Sequence, residues 1–291
     1  MERDKNWKLL EILNRTADYL KSKAFENPRL DAELLLCHTL GLRRLDLYLE
    51  YDRPISREEL DRFRTVLQKR LKHTPIQYIT QKAEFMSLPF VVNPSVAIPR
   101  PETEVLVETV IARLGRQKGP SVVADIGTGC GAIAIALAKQ MDDVSVYATD
   151  ISGEAIEVAR RNAHINGVSD RITFLQGDLL TPLASAPKGL DAIVSNPPYI
   201  KHADINILPA EIKDYEPPSA FDGGPDGLFY HRGLIERSPE FLKAGGILAL
   251  EVGDGQAGEV SKLMECGLVF KRIEKVKDLN GVERVVLGEK V

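Results

Sequence analysis

The chain has 291 residues, 44% of them apolar and 27% charged, with a formal net charge of −4, which is typical of a globular protein of about two domains. It contains no run of roughly 18 apolar residues, and its charged, helix-patterned N-terminus lacks the apolar stretch of a signal peptide, so we expect a cytoplasmic protein without a membrane segment. The charge is weakly basic over residues 1–85 and acidic beyond them, which does not suit a protein that grips a long nucleic-acid duplex.

The cysteines and histidines argue against a metal centre. Cys37, Cys130 and Cys266 are few, odd in number and far apart, and the five histidines are equally scattered. Neither set has the spacing of a disulfide framework or of zinc ligands. We therefore expect no metal.

Residues 1–72 have the pattern of a small helical bundle. Apolar residues recur every three to four positions, at Trp7, Leu10, Leu13, Ala17 and Leu20, which predicts one buried helix face. Further on, a helical stretch stops at a glycine, and a serine stands three residues before a glutamate as in a capping box. Nothing in this region points to catalysis, so we interpret it as a stability or docking module.

Residues 73–99 change character. Short apolar runs stand among Pro and Asn residues, which predicts a linker with a β-hairpin. The following segment IPRPETE leads into a helix, where Pro101 suits the first turn.

From residue 100 to 291, strands and helices alternate. Five strand-like runs are followed by two that flank Asn280-Gly281, a turn sequence typical of hairpins. This order predicts an α/β domain with a Rossmann-like, mostly parallel seven-stranded sheet that ends in an antiparallel hairpin. Ligands of such sheets bind beyond the carboxyl ends of the strands.

The first turn of this domain is rich in glycine and runs from Asp125 to Gly131. Its spacing satisfies the dinucleotide fingerprint, which is weak evidence by itself. Asp125 before the turn, Asp150 at the end of the second strand and Asp178 at the end of the third favour S-adenosylmethionine, since they could face its ammonium group, its ribose hydroxyls and its adenine amine. The alternative for each aspartate is a loop or helix cap.

The fourth strand ends in Asn196-Pro197-Pro198-Tyr199, the most informative tetrapeptide of the chain. Prolines cannot continue a sheet and leave carbonyls free to accept hydrogen bonds. An NH2 group could donate to the Asn196 side-chain oxygen and to the Pro197 carbonyl, while Tyr199 offers a face for stacking. The alternative is a rigid turn without chemistry.

These groups suit methylation of a planar amide or amine. An amide nitrogen is a poor nucleophile because its lone pair is delocalised, and two oxygen acceptors would shift electron density towards it. Since the sulfonium donor is already activated, positioning and electrostatics could supply most of the rate without a histidine base.

With these residues, the chain resembles the protein-(glutamine-N5) methyltransferases of class I release factors, the PrmC/HemK family. The resemblance covers nearly the whole length and includes five segments: TPIQYI (74–79), IPRPETE (98–104), DIGTGCG (125–131), the tetrapeptide, and EPPSAFDGGPDGL (216–228). The tetrapeptide alone is shared with adenine-N6 DNA methyltransferases, so the other segments and the helical region indicate release factors.

The resemblance implies a glutamine acceptor in the Gly-Gly-Gln loop of a release factor, and S-adenosyl-L-methionine as cofactor with S-adenosyl-L-homocysteine as product. The cofactor contacts would be Gly127, Thr128, Gly129, Cys130, Gly131, Asp150, Asp178, Leu179 and Asn196. The acceptor site would be Asn196, Pro197, Pro198 and Tyr199, with Asn196, Pro197 and Tyr199 catalytic.

The chain departs from the family pattern at two linker positions, where Gln81 replaces the usual glycine and Ala97 the usual leucine. These put the local shape of the linker in question rather than the chemistry. Arg100 and Glu102 could hold the linker against the cofactor pocket or form a surface turn. Glu251, at the end of the fifth strand, could be a buried structural acid.

Three other functions remain open at this level. A methyltransferase for exocyclic amines of nucleic acids, adenine N6 or guanine N2, would use the same tetrapeptide. A nucleotide-dependent oxidoreductase would use the Gly-rich turn but leave the tetrapeptide unexplained. A non-catalytic scaffold would keep the fold alone.

Overall fold

The computed structural model describes residues 7–115, 119–186 and 188–291. They form two compact units. The helical unit contains the described residues up to Gln81 together with Ala210–Tyr215. The second unit contains Lys82–Pro209 and Glu216–Val291, and we call it the catalytic unit because the predicted site residues lie in it.

The described residues form eleven α-helices and nine β-strands. The helices are α1 (Leu9–Ser22), α2 (Pro28–Leu40), α3 (Asp46–Leu49), α4 (Arg57–Leu71), α5 (Ile76–Thr80), α6 (Glu104–Leu114), α7 (Ala132–Gln140), α8 (Gly153–Ile165), α9 (Ala210–Lys213), α10 (Phe229–Arg237) and α11 (Ala257–Cys266). The strands are β1 (Ala83–Phe85), β2 (Leu88–Phe90), β3 (Ser121–Ile126), β4 (Val144–Asp150), β5 (Ile172–Gln176), β6 (Leu190–Ser195), β7 (Leu242–Glu251), β8 (Phe270–Lys277) and β9 (Glu283–Lys290). No helix in this described part is long and apolar enough to cross a membrane.

The helical unit is held by an apolar core and by caps that its sequence specifies. The buried face of α1 contains Leu13 and Leu20 as expected, whereas Leu10 and Ala17 lie half-buried at its border. Helix α4 begins with the expected capping box, in which the Glu59 amide donates to Ser56 Oγ at 3.2 Å and the Ser56 amide to the Glu59 carboxylate at 2.9 Å.

One ion pair ties the long helices of this unit together. Arg70 of α4 donates to the Asp31 carboxylate of α2 at 2.7 Å, and both side chains are buried. Arg70 also pairs with Glu211 of α9 at 2.8 Å, and the Tyr215 hydroxyl donates to the carbonyl of Lys72 at 2.6 Å. A segment that the sequence pattern placed in the catalytic region therefore belongs to the helical unit.

The catalytic unit contains a seven-stranded sheet in the order β5-β4-β3-β6-β7-β9-β8. The first five strands of this order are parallel, while β9 runs antiparallel to β7 and to β8. This confirms the predicted fold. Strand β6 is buried along its whole length, as expected where helices cover both faces of a sheet.

The register of the central strands determines which loops become neighbours. Ile126 of β3 pairs with Ser195 of β6, and Ser195 pairs in turn with Leu250 of β7. The Gly-rich turn and the tetrapeptide therefore leave the sheet side by side at its carboxyl edge. The strand order reverses between β3 and β6, which is where such sheets bind their ligands.

Two β-hairpins complete the strands of this unit. The closing hairpin has a five-residue loop between β8 and β9, in which Asp278 accepts from the amides of Asn280 and Val282, both at 2.9 Å. In residues 73–99, β1 and β2 form an antiparallel hairpin. Asn162 of α8 anchors the chain after this hairpin through both backbone groups of Val91, at 2.7 and 2.9 Å.

Candidate active site

The Gly-rich turn connects β3 to α7 in a left-handed backbone path. Gly127, Gly129 and Gly131 have φ values of 72°, 54° and 87°, which side-chain-bearing residues rarely adopt. A Cβ at Gly127 or Gly129 would meet no described heavy atom within 4 Å, so there is open space beside the turn. At Gly131, a Cβ would meet Ile135 at 2.9 Å and Ala159 at 3.1 Å, so this glycine serves helix packing.

Asp125 is fully buried at the end of β3. Its Oδ2 accepts from the Thr128 hydroxyl at 2.7 Å and from the Ala134 amide at 3.1 Å. Its Oδ1 has no hydrogen-bond partner among the described residues, and burial raises the pKa of this carboxyl to about 7. A buried acceptor that has no donor is uncommon in folded proteins, and a bound ligand could supply the missing donor.

Asp150 fixes the turn to the neighbouring strand. Its Oδ2 accepts from the Gly129 amide at 2.8 Å and its Oδ1 from the Ser152 amide at 2.9 Å. Burial raises the pKa of this carboxyl. Each oxygen has further lone pairs, so the carboxylate can still accept from a diol.

The third aspartate lies slightly differently from expectation. Strand β5 ends at Gln176, so the exposed Asp178 follows the strand by two residues instead of closing it. The Gly177 amide donates to the carbonyl of Asp150 at 2.9 Å, which keeps this loop beside that strand end. Leu179 has a φ of 46° and accepts at its carbonyl from the Thr149 hydroxyl at 3.3 Å.

Cys130 contributes its backbone to the turn. Its thiol is buried, which raises its pKa to about 12, and its carbonyl accepts from Asn162 Nδ2 at 2.9 Å. The thiol is therefore protonated at neutral pH and unsuited to act as a nucleophile.

The tetrapeptide begins directly after β6. The Ser195 hydroxyl donates to the carbonyl of Ile126 at 2.7 Å, which joins the ends of β6 and β3. Pro197 is buried, while Asn196, Pro198 and Tyr199 are half-buried. The structure thus brings the predicted acceptor residues to the edge that carries the Gly-rich turn.

Three glycines lie against residues 196–199, which we call the acceptor loop after the role predicted for them. We define Gly223, Gly227 and Gly253 as the brace of this loop. A Cβ at Gly223 would lie 2.8 Å from the carbonyl oxygen of Pro198, and one at Gly227 would lie 2.4 Å from the carbonyl oxygen of Tyr199. A Cβ at Gly253 would lie 3.0 Å from the Tyr199 ring. These close approaches give a physical reason for the glycines of the segment DGGPDGL.

Gln256 completes this support. Its Nε2 donates to the Tyr199 carbonyl at 2.9 Å, and its Oε1 accepts from the Gly253 amide at 2.9 Å. Neither Gln256 nor the brace was predicted from the sequence as part of the site. The signal for Gly223 and Gly227 was the segment DGGPDGL, whereas Gly253 and Gln256 have no local signature.

Arg100 ties the linker to the segment that begins EPPSAF. It forms an ion pair with the buried carboxylate of Glu216, which also accepts from the Ile98 amide at 3.3 Å. Burial raises the pKa of Glu216 while the guanidinium lowers it. Arg100 and Ile98 therefore join the end of the linker to the segment that begins at Glu216.

Glu251, the last residue of β7, lies beneath the tetrapeptide and is 1% exposed. Burial raises the pKa of its carboxyl to about 7, while the adjoining Thr103 and Asn196 lower it. Its Oε2 has no hydrogen-bond partner among the described residues. The side chain of Asn196 also donates to Thr103 Oγ1 at 3.0 Å. Thr103 and the link between these three residues were missed at the sequence level.

The site has the donor and acceptor set that S-adenosylmethionine requires. The unpartnered oxygen of Asp125, the space beside Gly127 and Gly129, and the Asp150 carboxylate fit the polar ends and ribose of that molecule. No group of three or more metal-ligating side chains occurs in the part of the chain that is described.

Family comparisons agree with this arrangement. A model of the PrmC N-terminal domain matches residues 11–80, and one of the methyltransferase small domain matches residues 100–212. A crystal structure of a methyltransferase from Pyrococcus furiosus has the same fold, with a TM-score of 0.51 at 20% identity over 70% of this chain and 90% of that one.

Two relatives match over nearly the whole length. The release factor glutamine methyltransferase of Geobacter sulfurreducens is 42% identical over 287 residues, which cover 99% of this chain and 98% of the relative. That of Chlorobaculum tepidum is 40% identical over 291 residues, covering 98% of each. The chain belongs to the release factor glutamine methyltransferase family.

Proposed function

We propose that this chain methylates the side-chain nitrogen of a glutamine, in the Gly-Gly-Gln loop of class I release factors, with S-adenosyl-L-methionine as the methyl donor. The observation that carries this proposal is the register of β3 and β6, which places the tetrapeptide beside the Gly-rich turn. The full-length relatives named for this activity support the choice of acceptor.

The cofactor would be held by the edge of the sheet. The Asp125 oxygen would accept from its ammonium group, Asp150 from its ribose hydroxyls, and Asp178 with Leu179 would border the adenine. Backbone groups from Gly127 to Gly131 would line the cofactor pocket, and Asn196 would lie near the methyl group of the cofactor. When bound, this cofactor supplies a methyl group on a positively charged sulfur.

The chain's own residues would orient the acceptor. The Asn196 side-chain oxygen and the Pro197 carbonyl would accept the two hydrogens of the glutamine NH2, while Pro198 and the Tyr199 ring would bound its plane. Both acceptors increase electron density on the nitrogen and fix its direction. Catalysis of this kind depends on preorganised geometry and electrostatics rather than on a general base.

The direct test is mass spectrometry of a release factor after incubation with the enzyme and S-adenosylmethionine. We expect one added methyl group on the glutamine of the Gly-Gly-Gln loop. A release factor that stays unmodified while nucleic acid gains label would instead support methylation of an exocyclic amine.

The role of Asn196 has a separate test. We expect Asn196→Ala to lose about 2–4 kcal/mol of transition-state stabilisation, with little change in the affinity for S-adenosylhomocysteine measured by calorimetry. Wild-type turnover by this variant would contradict the role of acceptor that we assign to its oxygen.

The helical unit would supply a second contact with the release factor, since a single glutamine loop offers little to discriminate between proteins. Hydrogen exchange of the full chain with and without a release factor tests this contact. Protection of amides between residues 7 and 81 is expected, and protection confined to the catalytic unit would contradict it.

A further inference from the structure

Two buried side chains, Thr103 and Glu251, meet the half-buried Asn196 at the start of the acceptor loop, each from a different element. Asn196 follows β6, Glu251 ends β7, and Thr103 closes the short 3-10 turn Pro101–Thr103 ahead of α6. Thr103 is 4% exposed and Glu251 is 1% exposed. Because Ser195 pairs with Leu250 across the sheet, the next residue of each strand, Asn196 and Glu251, is held close to the other.

One orientation of the Asn196 amide fits these neighbours. Its Nδ2 donates to Thr103 Oγ1 at 3.0 Å. The adjoining Glu251 carboxylate can only accept hydrogen bonds when it is ionised, and its buried Oε2 has no donor among the described residues.

A reversed Asn196 amide would be disfavoured at this place. Its oxygen would replace the donor that Thr103 Oγ1 now has, and it would face a carboxylate that carries negative charge. Since the two ends of an amide are nearly the same in size and shape, hydrogen-bond partners of this kind are what determine its orientation.

We infer that Thr103 and Glu251 are a positioning pair that fixes the Asn196 amide with its nitrogen inward and its oxygen away from the pair. This inference rests on the proposed function, because it assigns a purpose to that oxygen. With the amide fixed, Asn196 presents an acceptor to the NH2 group of the glutamine. If the amide could rotate, the Asn196 NH2 group would at times face the glutamine NH2 group, and neither group could accept a hydrogen bond.

The charges around Glu251 support an ionised form in mildly alkaline solution. Groups of both signs lie near Glu251: Arg284 lowers its pKa and Glu102 raises it. Burial and the charge of Glu251 in turn raise the pKa of the Tyr199 phenol. The ring of His231 contacts the backbone carbonyl of Glu251 at 2.9 Å rather than its carboxylate. When Glu251 takes up a proton, its carboxyl group can donate as well as accept, and the charge that disfavours the reversed Asn196 amide is lost.

The test uses Thr103→Val, which removes the hydroxyl but keeps the size and branching of the side chain. Thr103→Ser is the rescue variant, because it restores the hydroxyl. Thr109→Val is the matched control, since the Thr109 hydroxyl in α6 donates to the carbonyl of Val105 at 2.7 Å and has no part in the site.

We expect Thr103→Val to lower kcat for release factor by about tenfold to hundredfold, because a small misplacement of a positioning group has effects of that size. The affinity for S-adenosylhomocysteine should stay within about twofold, and Thr103→Ser should recover most of the loss. The kcat of the wild type should rise with pH through the titration of Glu251, and this rise should be lost in Thr103→Val.

A second measurement is independent of turnover. In protein labelled with nitrogen-15 on asparagine, the side-chain signal of Asn196 is the one missing from Asn196→Ala. We expect its hydrogens to exchange slowly with solvent in the wild type and in Thr109→Val, and at least about tenfold faster in Thr103→Val.

The two measurements separate the two proposals. A wild-type enzyme that leaves release factor unmethylated would overturn the proposed function, while the exchange data would still test the positioning pair. Active wild type with an equally active Thr103→Val, or unchanged exchange at Asn196 in that variant, would overturn the pair.

Discussion

The tight brace around the acceptor loop makes Gly227→Ala an informative substitution. Gly227 has a φ of +78°, and a Cβ there would lie 2.4 Å from the Tyr199 carbonyl oxygen and 2.7 Å from Gln256 Nε2. Gly255 offers a matched control, because it has a φ of +79° but a Cβ there meets no described heavy atom within 4 Å. Both variants carry the same left-handed backbone strain, so their difference measures the contact alone.

The left-handed strain costs roughly 1–2 kcal/mol at either position. We expect Gly255→Ala to lose about that much in free energy of unfolding. Gly227→Ala should lose about 1–3 kcal/mol more, since backbone and Gln256 must move to admit the methyl group. The movement displaces Tyr199, so the kcat for release factor should fall at least about tenfold in Gly227→Ala and stay near wild type in Gly255→Ala.

Urea denaturation measures the free energy of unfolding, and steady-state methylation kinetics measure kcat. Calorimetry of S-adenosylhomocysteine binding shows whether the cofactor site is unchanged. Its affinity should be similar in both variants, because the brace contacts the acceptor loop and not the Gly-rich turn. Equal stability and equal kcat in the two variants would refute the reasoning.

Three further predictions concern charged groups. Asp150→Asn should weaken S-adenosylhomocysteine binding at least about tenfold by calorimetry, because an amide cannot accept from the Gly129 and Ser152 amides and from a diol together; unchanged affinity would contradict the ribose role. Burial raises the pKa of Glu251 from 4.5 to about 7, so the fold binds this proton more tightly than the unfolded chain does. The free energy of unfolding of the cofactor-free protein should therefore fall as pH rises between those values, by on the order of 3 kcal/mol for this group, and Glu251→Gln should flatten the decline in urea titrations; an unchanged slope would argue against it. Arg70→Met should lose about 3–5 kcal/mol, because it leaves the Asp31 carboxylate buried without its cation, and a loss below about 1 kcal/mol in the same titrations would contradict this.

Much of the fold followed from local sequence patterns. The alternation of strand-like and helix-like runs predicted a parallel sheet, and the rule that its ligands bind at the carboxyl edge brought Asp150 and Asn196 to one place. Capping was equally local, since Ser56 and Glu59 specify the start of α4 within four residues. Such features are predictable because neighbouring residues determine them.

The supports of the site could not be predicted in this way. Thr103 binds Asn196 across 93 residues of sequence, and Gln256 binds Tyr199 across 57. A threonine ahead of a helix and a glutamine after a strand are common. They become part of the site only because the fold brings distant segments together. The boundary of β5 was missed although its cause is local: the chain bends at Gly177, so the strand ends at Gln176 and Asp178 lies beyond it.

The membership of residues 210–215 in the helical unit has a consequence for protein engineering. The chain crosses between the units at residue 81, again at 209, and once more at 215. The last two crossings enclose a short segment downstream of the tetrapeptide, held by Glu211 and Tyr215. The N-terminal helices therefore cannot be exchanged alone. A chimera with the helices of another relative would also need that relative's version of residues 210–215, because otherwise this segment would lose its contacts with Arg70 and Lys72.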